Sequence, residues 1–274
     1  MSEKNKKLLT AVLAVVMVLG MVMTVISALD SKESMASYSN AVAVASQPVQ
    51  TVPTTTQPAT EPEQPAEAQP PRWVPAKVEE DLIMAALGSI NLEALRQINP
   101  DVVGWISIPQ TRIHYPVTQG EDNDYYLSHT WDQQSNLGGA IFLETRNSTA
   151  LTDFNTIIYG HNMRNGSMFA DLHLFADPDF AAKHPYVYLV TDEGIFRYEI
   201  FASYDAPVDS STYGLSFREN ATREEFIAHA LEQSQIQPGI IPELNDRILT
   251  LSTCNGRGYA ARRVVQARLP MVLE

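Results

Sequence analysis

The side chains best suited to chemistry are a lone cysteine, Cys254, and a histidine, His161, each at the end of a β-rich run. Cys254 shares the more polar face of its predicted strand with Thr250 and Ser252, and His161 follows the apolar run 156–159. A thiol attacks carbonyl groups as the thiolate, which a neighbouring histidine can stabilise. If the two strand ends meet at a groove, the pair could carry out acyl transfer. The alternative for Cys254 is a small buried residue without chemistry.

Positive charge is the third component of such a site, because a guanidinium can stabilise an oxyanion or hold the substrate backbone. Arg262 and Arg263 are adjacent in the last predicted strand and must point to opposite faces. Arg262 shares the more polar face with Val264 and Gln266, so it is the better candidate for an open groove. A solvated strand charge is the alternative for either arginine.

The composition disfavours one functional class and excludes two kinds of structural cross-link. The chain has 274 residues, and 19 Lys and Arg against 32 Asp and Glu give a formal net charge of −13. Binding of nucleic acid requires a basic face, so that class is disfavoured. One cysteine excludes an intramolecular disulfide and a zinc site built on two or more cysteines.

The N-terminal third divides into three segments. Residues 1–7 are a lysine-containing tail, predicted to be cytoplasmic, and residues 8–29 are uncharged and would span about 33 Å as a helix. This length predicts a membrane anchor with the rest of the chain outside; a cleaved signal peptide is the alternative. Eight of the 17 prolines lie in 48–75, and residues 30–72 are predicted to be a disordered spacer. The folded domain is predicted over 73–274.

Short strands dominate the predicted domain, with helices at its start and one between late strands. A hairpin is predicted around Asp192 to Gly194, and Thr222 with Glu225 has the spacing of a capping box. The pattern predicts a mainly β fold, a mixed β-barrel with peripheral helices. Helices are predicted at 78–87, 91–98 and 222–235, and strands at 102–108, 112–117, 140–143, 156–159, 186–190, 195–204, 247–253 and 262–269.

Three segments resemble the sortase family of cysteine transpeptidases, and class B in particular. Residues 250–254, Thr-Leu-Ser-Thr-Cys, are similar to the family's cysteine signature, and 159–169 resembles the histidine segment of class B. The strand 262–269 resembles the terminal arginine strand. The resemblance extends over about residues 80–270 and implies a sortase-like mixed β-barrel, with N-terminal helices and an extra helix between late strands. It also fits an N-terminal anchor on the outer face of the membrane of a Gram-positive bacterium.

The resemblance implies that Cys254 attacks a backbone carbonyl in a sorting motif near the C-terminus of a secreted protein. His161 would exchange protons with the leaving and entering amines, and Arg262 would bind the oxyanion or substrate carbonyl. The acceptor would be an amino group of a peptidoglycan precursor or a pilin, and no metal or organic cofactor would be needed. A thiol endopeptidase that only hydrolyses and a tethered non-catalytic binding module are the alternatives.

Four further residues are candidates for binding the substrate. By similarity, Asn123 and Leu127 are expected to form a wall of the groove, and Tyr159 and Ser252 are expected to line it. Ordinary turn, strand or core positions are the alternative for all four. The sequence identifies no acidic or amide side chain that would orient His161.

Overall fold

Short β-strands supply most of the regular structure of the chain, which a computed structural model describes over residues 16–17, 24, 28–47, 82–254 and 260–271. Within these residues the strands are β1 (Val102–Ser107), β2 (His114–Thr118), β3 (Ile141–Leu143), β4 (Asn155–Tyr159), β5 (Tyr186–Thr191), β6 (Gly194–Pro207), β7 (Arg247–Cys254) and β8 (Ala261–Leu269).

The strands close into one barrel in the order β1-β2-β3-β4-β7-β8-β6-β5. Most neighbours are antiparallel, but β2 pairs with β3, and β4 with β7, in parallel. Alternate side chains fill the interior, as Leu249 and Leu251 of β7 and Val265 of β8 do. The predicted mainly β fold with a mixed barrel is therefore confirmed.

The tight turn between β5 and β6 lies where the sequence predicts a hairpin. Thr191 pairs with Gly194, so Asp192 and Glu193 form a two-residue loop. Gly194 has a φ of 130°, a conformation that favours glycine. The hairpin prediction is confirmed.

Five α-helices surround the barrel within the described residues: α1 (28–45), α2 (Leu82–Gly88), α3 (Leu92–Arg96), α4 (Pro178–Lys183) and α5 (Asn220–Gln233). Three short 3-10 helices of the same described part of the chain lie at Tyr125–Leu127, Ala170–Ala176 and Ser211–Tyr213. Asn91 caps α3, since its side chain accepts a 3.0 Å hydrogen bond from the backbone N–H of Ala94.

Helix α5 packs on the outer face of the barrel. Its buried residues Phe226 and Ala230 join a second apolar cluster with Ile248 and Val264 of the barrel. The predicted capping box is wrong, because the Thr222 hydroxyl donates to the carbonyl of Glu219 from inside the first turn. The helix begins two residues earlier than the predicted cap.

Helix α1 differs from the spacer predicted over 30–72. Tyr38, Ala41 and Ala45 lie at helical spacing and are buried against the barrel core. The proline-rich composition typical of a spacer begins only at Pro48, and the segment before it is free of proline and forms a helix. The remainder of the predicted spacer, residues 48–72, lies outside the described residues.

The predicted membrane anchor, residues 8–29, falls mostly outside the described residues. Among the helices that the structure describes, none has both the length and the apolar character required to cross a membrane.

Candidate active site

The ends of β4 and β7 meet at one rim of the barrel. The two strands are parallel with Tyr159 opposite Ser252, and the N–H of Gly160 donates to the carbonyl of Ser252. The chain that leaves β4 therefore carries His161 along the end of β7, toward Cys254. On the other side of β7, Arg262 of β8 lies opposite Cys254. Neighbouring strands lie about 4.8 Å apart, so the topology sets the three predicted catalytic positions side by side. The side chain of Cys254 lies outside the described part of the structure.

A groove of about 380 Å³ opens at this rim. It is lined by six of the seven residues that the sequence singles out, namely Asn123, Leu127, Tyr159, His161, Ser252 and Arg262. Leu127 exposes 41% of its surface and Val208 exposes 46%, so the groove walls offer apolar surface to a ligand. A concave surface of this volume, with apolar walls and a few polar groups, is typical of ligand sites.

A backbone carbonyl orients the imidazole of His161. The Nε2 atom of His161 lies 2.8 Å from the carbonyl oxygen of Leu127. A carbonyl only accepts hydrogen bonds, so Nε2 carries a proton and donates it. This hydrogen bond fixes the ring and its tautomer, the role that an acidic or amide side chain has in other cysteine sites. Nδ1 is then the ring nitrogen whose protonation can change while this hydrogen bond is kept.

The carbonyl of Leu127 is itself held by tight packing around Gly139. A side-chain carbon at Gly139 would lie 2.6 Å from the carbonyl oxygen of Tyr126 and 2.9 Å from that of Leu127. It would also lie 3.1 Å from Cδ2 of His161, and the φ of Gly139 is +58°. Only glycine fits here without strain, because any side chain would press on these carbonyls and on the imidazole edge.

The two adjacent arginines of β8 have different environments. Arg262 borders the groove. Arg263 is 6% exposed, lies 2.9 Å from a carboxylate oxygen of Asp205 and donates a 2.9 Å hydrogen bond to Gln235. The residue predicted for the groove therefore borders it, and its neighbour belongs to a buried ion pair.

Most of the polar face of β7 and β8 is closed. Thr250 and Gln266 are fully buried and hydrogen-bonded to each other at 3.0 Å. Thr250 also donates to Asn155 on β4, and Tyr204 on β6 donates to Gln266. These buried polar groups satisfy one another across four strands, and the face opens only at its end, near Arg262.

Ser252 borders the groove with little exposed surface of its own. It is 1% exposed, and its hydroxyl lies 3.0 Å from the hydroxyl of Tyr213. Tyr213 lines the groove from the segment between β6 and α5. The surface that a ligand would meet here thus belongs largely to Tyr213, which no local sequence pattern marks.

A buried carboxylate, Glu144, is the functional group most clearly missed by the sequence reasoning. It is 1% exposed, and hydrogen bonds reach it from Arg146, Asn123 and Tyr159. Burial alone would raise the pKa of Glu144, but these hydrogen bonds outweigh it and lower the pKa below its ordinary value. The one signal in the sequence is an acid directly after the buried run Ile141–Leu143.

Comparison with known proteins identifies relatives of this fold and site. A family model described as "Sortase domain" matches residues 106–270. The curated Sortase B of Listeria monocytogenes is 39% identical over 180 residues, which cover 65% of this chain and 73% of that protein. The Staphylococcus aureus sortase B-substrate complex matches with a TM-score of 0.63 and 30% identity, over 66% of this chain and 85% of that one. A sortase B complexed with triglycine matches with a TM-score of 0.62 and 30% identity, over 66% and 86%.

Proposed function

The chain belongs to the sortase family of cysteine transpeptidases, in class B, and from this premise we propose that it cleaves a C-terminal sorting motif of secreted proteins. The acyl fragment is transferred to an amino group of a peptidoglycan precursor or a pilin. The observation that carries the proposal is that His161, which follows the end of β4, and Arg262, which pairs with Cys254, line the same groove.

In the proposed reaction Cys254 is the nucleophile and His161 is the acid and base. The thiolate attacks the scissile carbonyl, the C–N bond breaks, and the leaving amine takes a proton from Nδ1 of His161. The acceptor amine then attacks the thioester, returns a proton to His161 and releases the thiolate. Arg262 donates hydrogen bonds to the oxyanion or to the substrate backbone.

Two of the similar solved structures support the proposed donor and acceptor. One is a Staphylococcus aureus sortase B-substrate complex, and the other is a sortase B complexed with triglycine. They support a peptide donor and an amine acceptor for the present chain. The choice between a cell-wall precursor and a pilin as acceptor is part of the proposal.

The proposal includes a location at the cell membrane, with the catalytic domain outside. It rests on the uncharged stretch 8–29 and on the lysines that precede it. Oriented in this way, the groove would face the exported substrates and the precursors of the cell wall.

A trapped acyl-enzyme tests the proposal directly. The full chain, purified in detergent, is incubated with a fluorescence-quenched peptide library randomised over five positions, with and without triglycine. We expect a thioester adduct on Cys254 by mass spectrometry and a triglycine-linked product. Cys254→Ala should abolish both and His161→Ala nearly so. Products unchanged by triglycine would identify an endopeptidase that only hydrolyses, and a wild-type chain without turnover would favour a binding module.

A further inference from the structure

Glu144 occupies an unusual position for a carboxylate, because it directly follows β3 and lies almost fully buried beside the groove. A buried charge is costly unless several hydrogen bonds compensate for it. Its only role in the proposed reaction is indirect, since the reacting positions lie just after β4, at the end of β7 and on β8.

The partners of Glu144 are all groove-lining residues. Arg146 Nε donates to Oε1 at 2.7 Å, while Asn123 Nδ2 and the Tyr159 hydroxyl donate to Oε2 at 2.9 and 3.1 Å. These donors come from the segment before β3, the segment after it and the end of β4. One carboxylate therefore ties together three separate parts of the groove wall.

The donors have few ways to turn away from this carboxylate. Asn123 cannot exchange its amide oxygen and nitrogen freely, because its Oδ1 already accepts a 2.9 Å hydrogen bond from the N–H of Thr145. Burial and the charge of Glu144 raise the pKa of Tyr159, so its hydroxyl stays protonated and donates. Arg146 is a permanent cation.

The neutral amide of glutamine would not satisfy this arrangement. In Glu144→Gln an NH₂ group replaces one of the two carboxylate oxygens. In one orientation this group faces the donor Arg146, and in the other it faces the donors Asn123 and Tyr159. The least costly orientation keeps an oxygen toward Asn123 and Tyr159 and turns the NH₂ toward Arg146. The Arg146 side chain, 68% exposed, would then lose its anchor and its fixed position in the groove.

We propose that Glu144 is the positioning residue for the donor peptide, holding Asn123, Tyr159 and Arg146 in the arrangement that binds the peptide. The inference rests on the proposed function. It separates peptide positioning, for which the negative charge of Glu144 is required, from the acid–base step at His161.

Steady-state kinetics of Glu144→Gln test this separation. The donor probe is the best-cleaved library peptide of the wild-type chain, and triglycine is the acceptor. We expect the KM for the donor to rise about tenfold, as for loss of one charge-assisted hydrogen bond, with kcat and the KM for triglycine within about threefold. Glu144→Asp, which keeps the charge on a shorter side chain, should recover part of the loss.

Asp246→Asn is the matched control. Asp246 is 3% exposed and accepts hydrogen bonds from Arg268 and from backbone N–H groups, but it lies outside the groove. Its substitution should lower the stability while leaving the KM for the donor unchanged. The rate of Cys254 alkylation by iodoacetamide should be the same in all variants, showing that the thiol is not disturbed.

A second measurement reports on the groove without turnover. The side-chain amide resonances of Asn123, assigned through Asn123→Asp, should shift in Glu144→Gln and remain in place in Asp246→Asn. An unchanged donor KM in an active Glu144→Gln, or unshifted Asn123 resonances, would overturn the inference alone. A wild-type chain that cleaves no library peptide would overturn the proposed function, and this inference with it.

Discussion

The hydroxyl of Tyr38 donates a 2.6 Å hydrogen bond to the carbonyl of Gly139, which lies 101 residues later in the chain. The contact is buried, and it joins helix α1 to the segment that packs behind Leu127 and His161. Burial raises the pKa of Tyr38, so the phenol keeps its proton and can donate. Two further contacts hold the same segment, from the indole N–H of Trp131 to Ser37 and from Asn136 to Asp30.

Removal of this hydroxyl should affect both stability and catalysis. In Tyr38→Phe the carbonyl of Gly139 loses its buried donor, which costs about 1–3 kcal/mol in the free energy of unfolding. The loosened segment should also lower kcat several-fold under conditions where the protein is folded. Urea denaturation and turnover of a cleaved library peptide measure the two effects.

The control is Ser234→Ala, which removes a hydroxyl that hydrogen-bonds Ile236 and Ser203 at the far end of α5. It should lose stability while keeping kcat. If Tyr38→Phe behaved in the same way, α1 would have no part in placing the histidine.

The barrel could be predicted from the sequence because its strands carry strong local signals. Runs of β-branched and aromatic residues such as 186–190 and 247–253 coincide with β5 and β7 to within a residue. Helix α1 is not predicted, although its apolar residues from Tyr38 to Ala45 have helical spacing, because the segments that bury them, around Tyr115 and Gly139, are distant in the chain. Such long-range packing has no local sequence pattern.

The candidate site also has parts that the sequence predicts and parts that only the fold brings together. His161 and Arg262 could be selected by residue type, strand alternation and resemblance, and both border the groove. The carbonyl of Leu127 could not be found, because every residue carries a carbonyl and only tertiary structure aims one at an imidazole. The partners of Glu144 are likewise brought together from three segments by the fold.

Substitution of the two adjacent arginines should have different effects, with Arg262→Ala lowering the activity and Arg263→Ala lowering the stability. Arg262→Ala should lower kcat about 100-fold, as for loss of an oxyanion donor, and change the free energy of unfolding by less than about 1 kcal/mol. Arg263→Ala should cost about 1–3 kcal/mol of stability, because Asp205 and Gln235 lose their partner. Turnover of the folded fraction should persist in Arg263→Ala; the reverse pattern would assign the catalytic role to Arg263.

The charge of Glu144 should give stability a defined pH dependence. Its folded-state pKa is lowered, so its stabilising contribution is complete above the unfolded-state pKa of about 4.3 and is lost as the pH falls through the folded-state value. The difference in the free energy of unfolding between the wild-type chain and Glu144→Gln should thus be constant from about pH 6 to 8 and shrink below about pH 4. Urea titrations at about pH 7 and about pH 3.5 measure it, and a difference that stays constant over this range would contradict the assigned hydrogen bonds.

Gly139→Ala tests whether the Leu127 carbonyl controls the histidine. The new methyl group would press on the carbonyls of Tyr126 and Leu127 and on the imidazole edge of His161. A displacement of the His161 imidazole by up to about 1 Å should lower kcat about 100-fold. The midpoint of thermal unfolding should also be lower. The matched control is Gly239→Ala, since Gly239 has a similar φ of +76° but nothing within 4 Å of the added carbon. It carries the same backbone strain, about 1 kcal/mol, and should keep full activity, so equal kcat losses in the two variants would attribute the effect to strain and exclude a role for the Leu127–His161 contact.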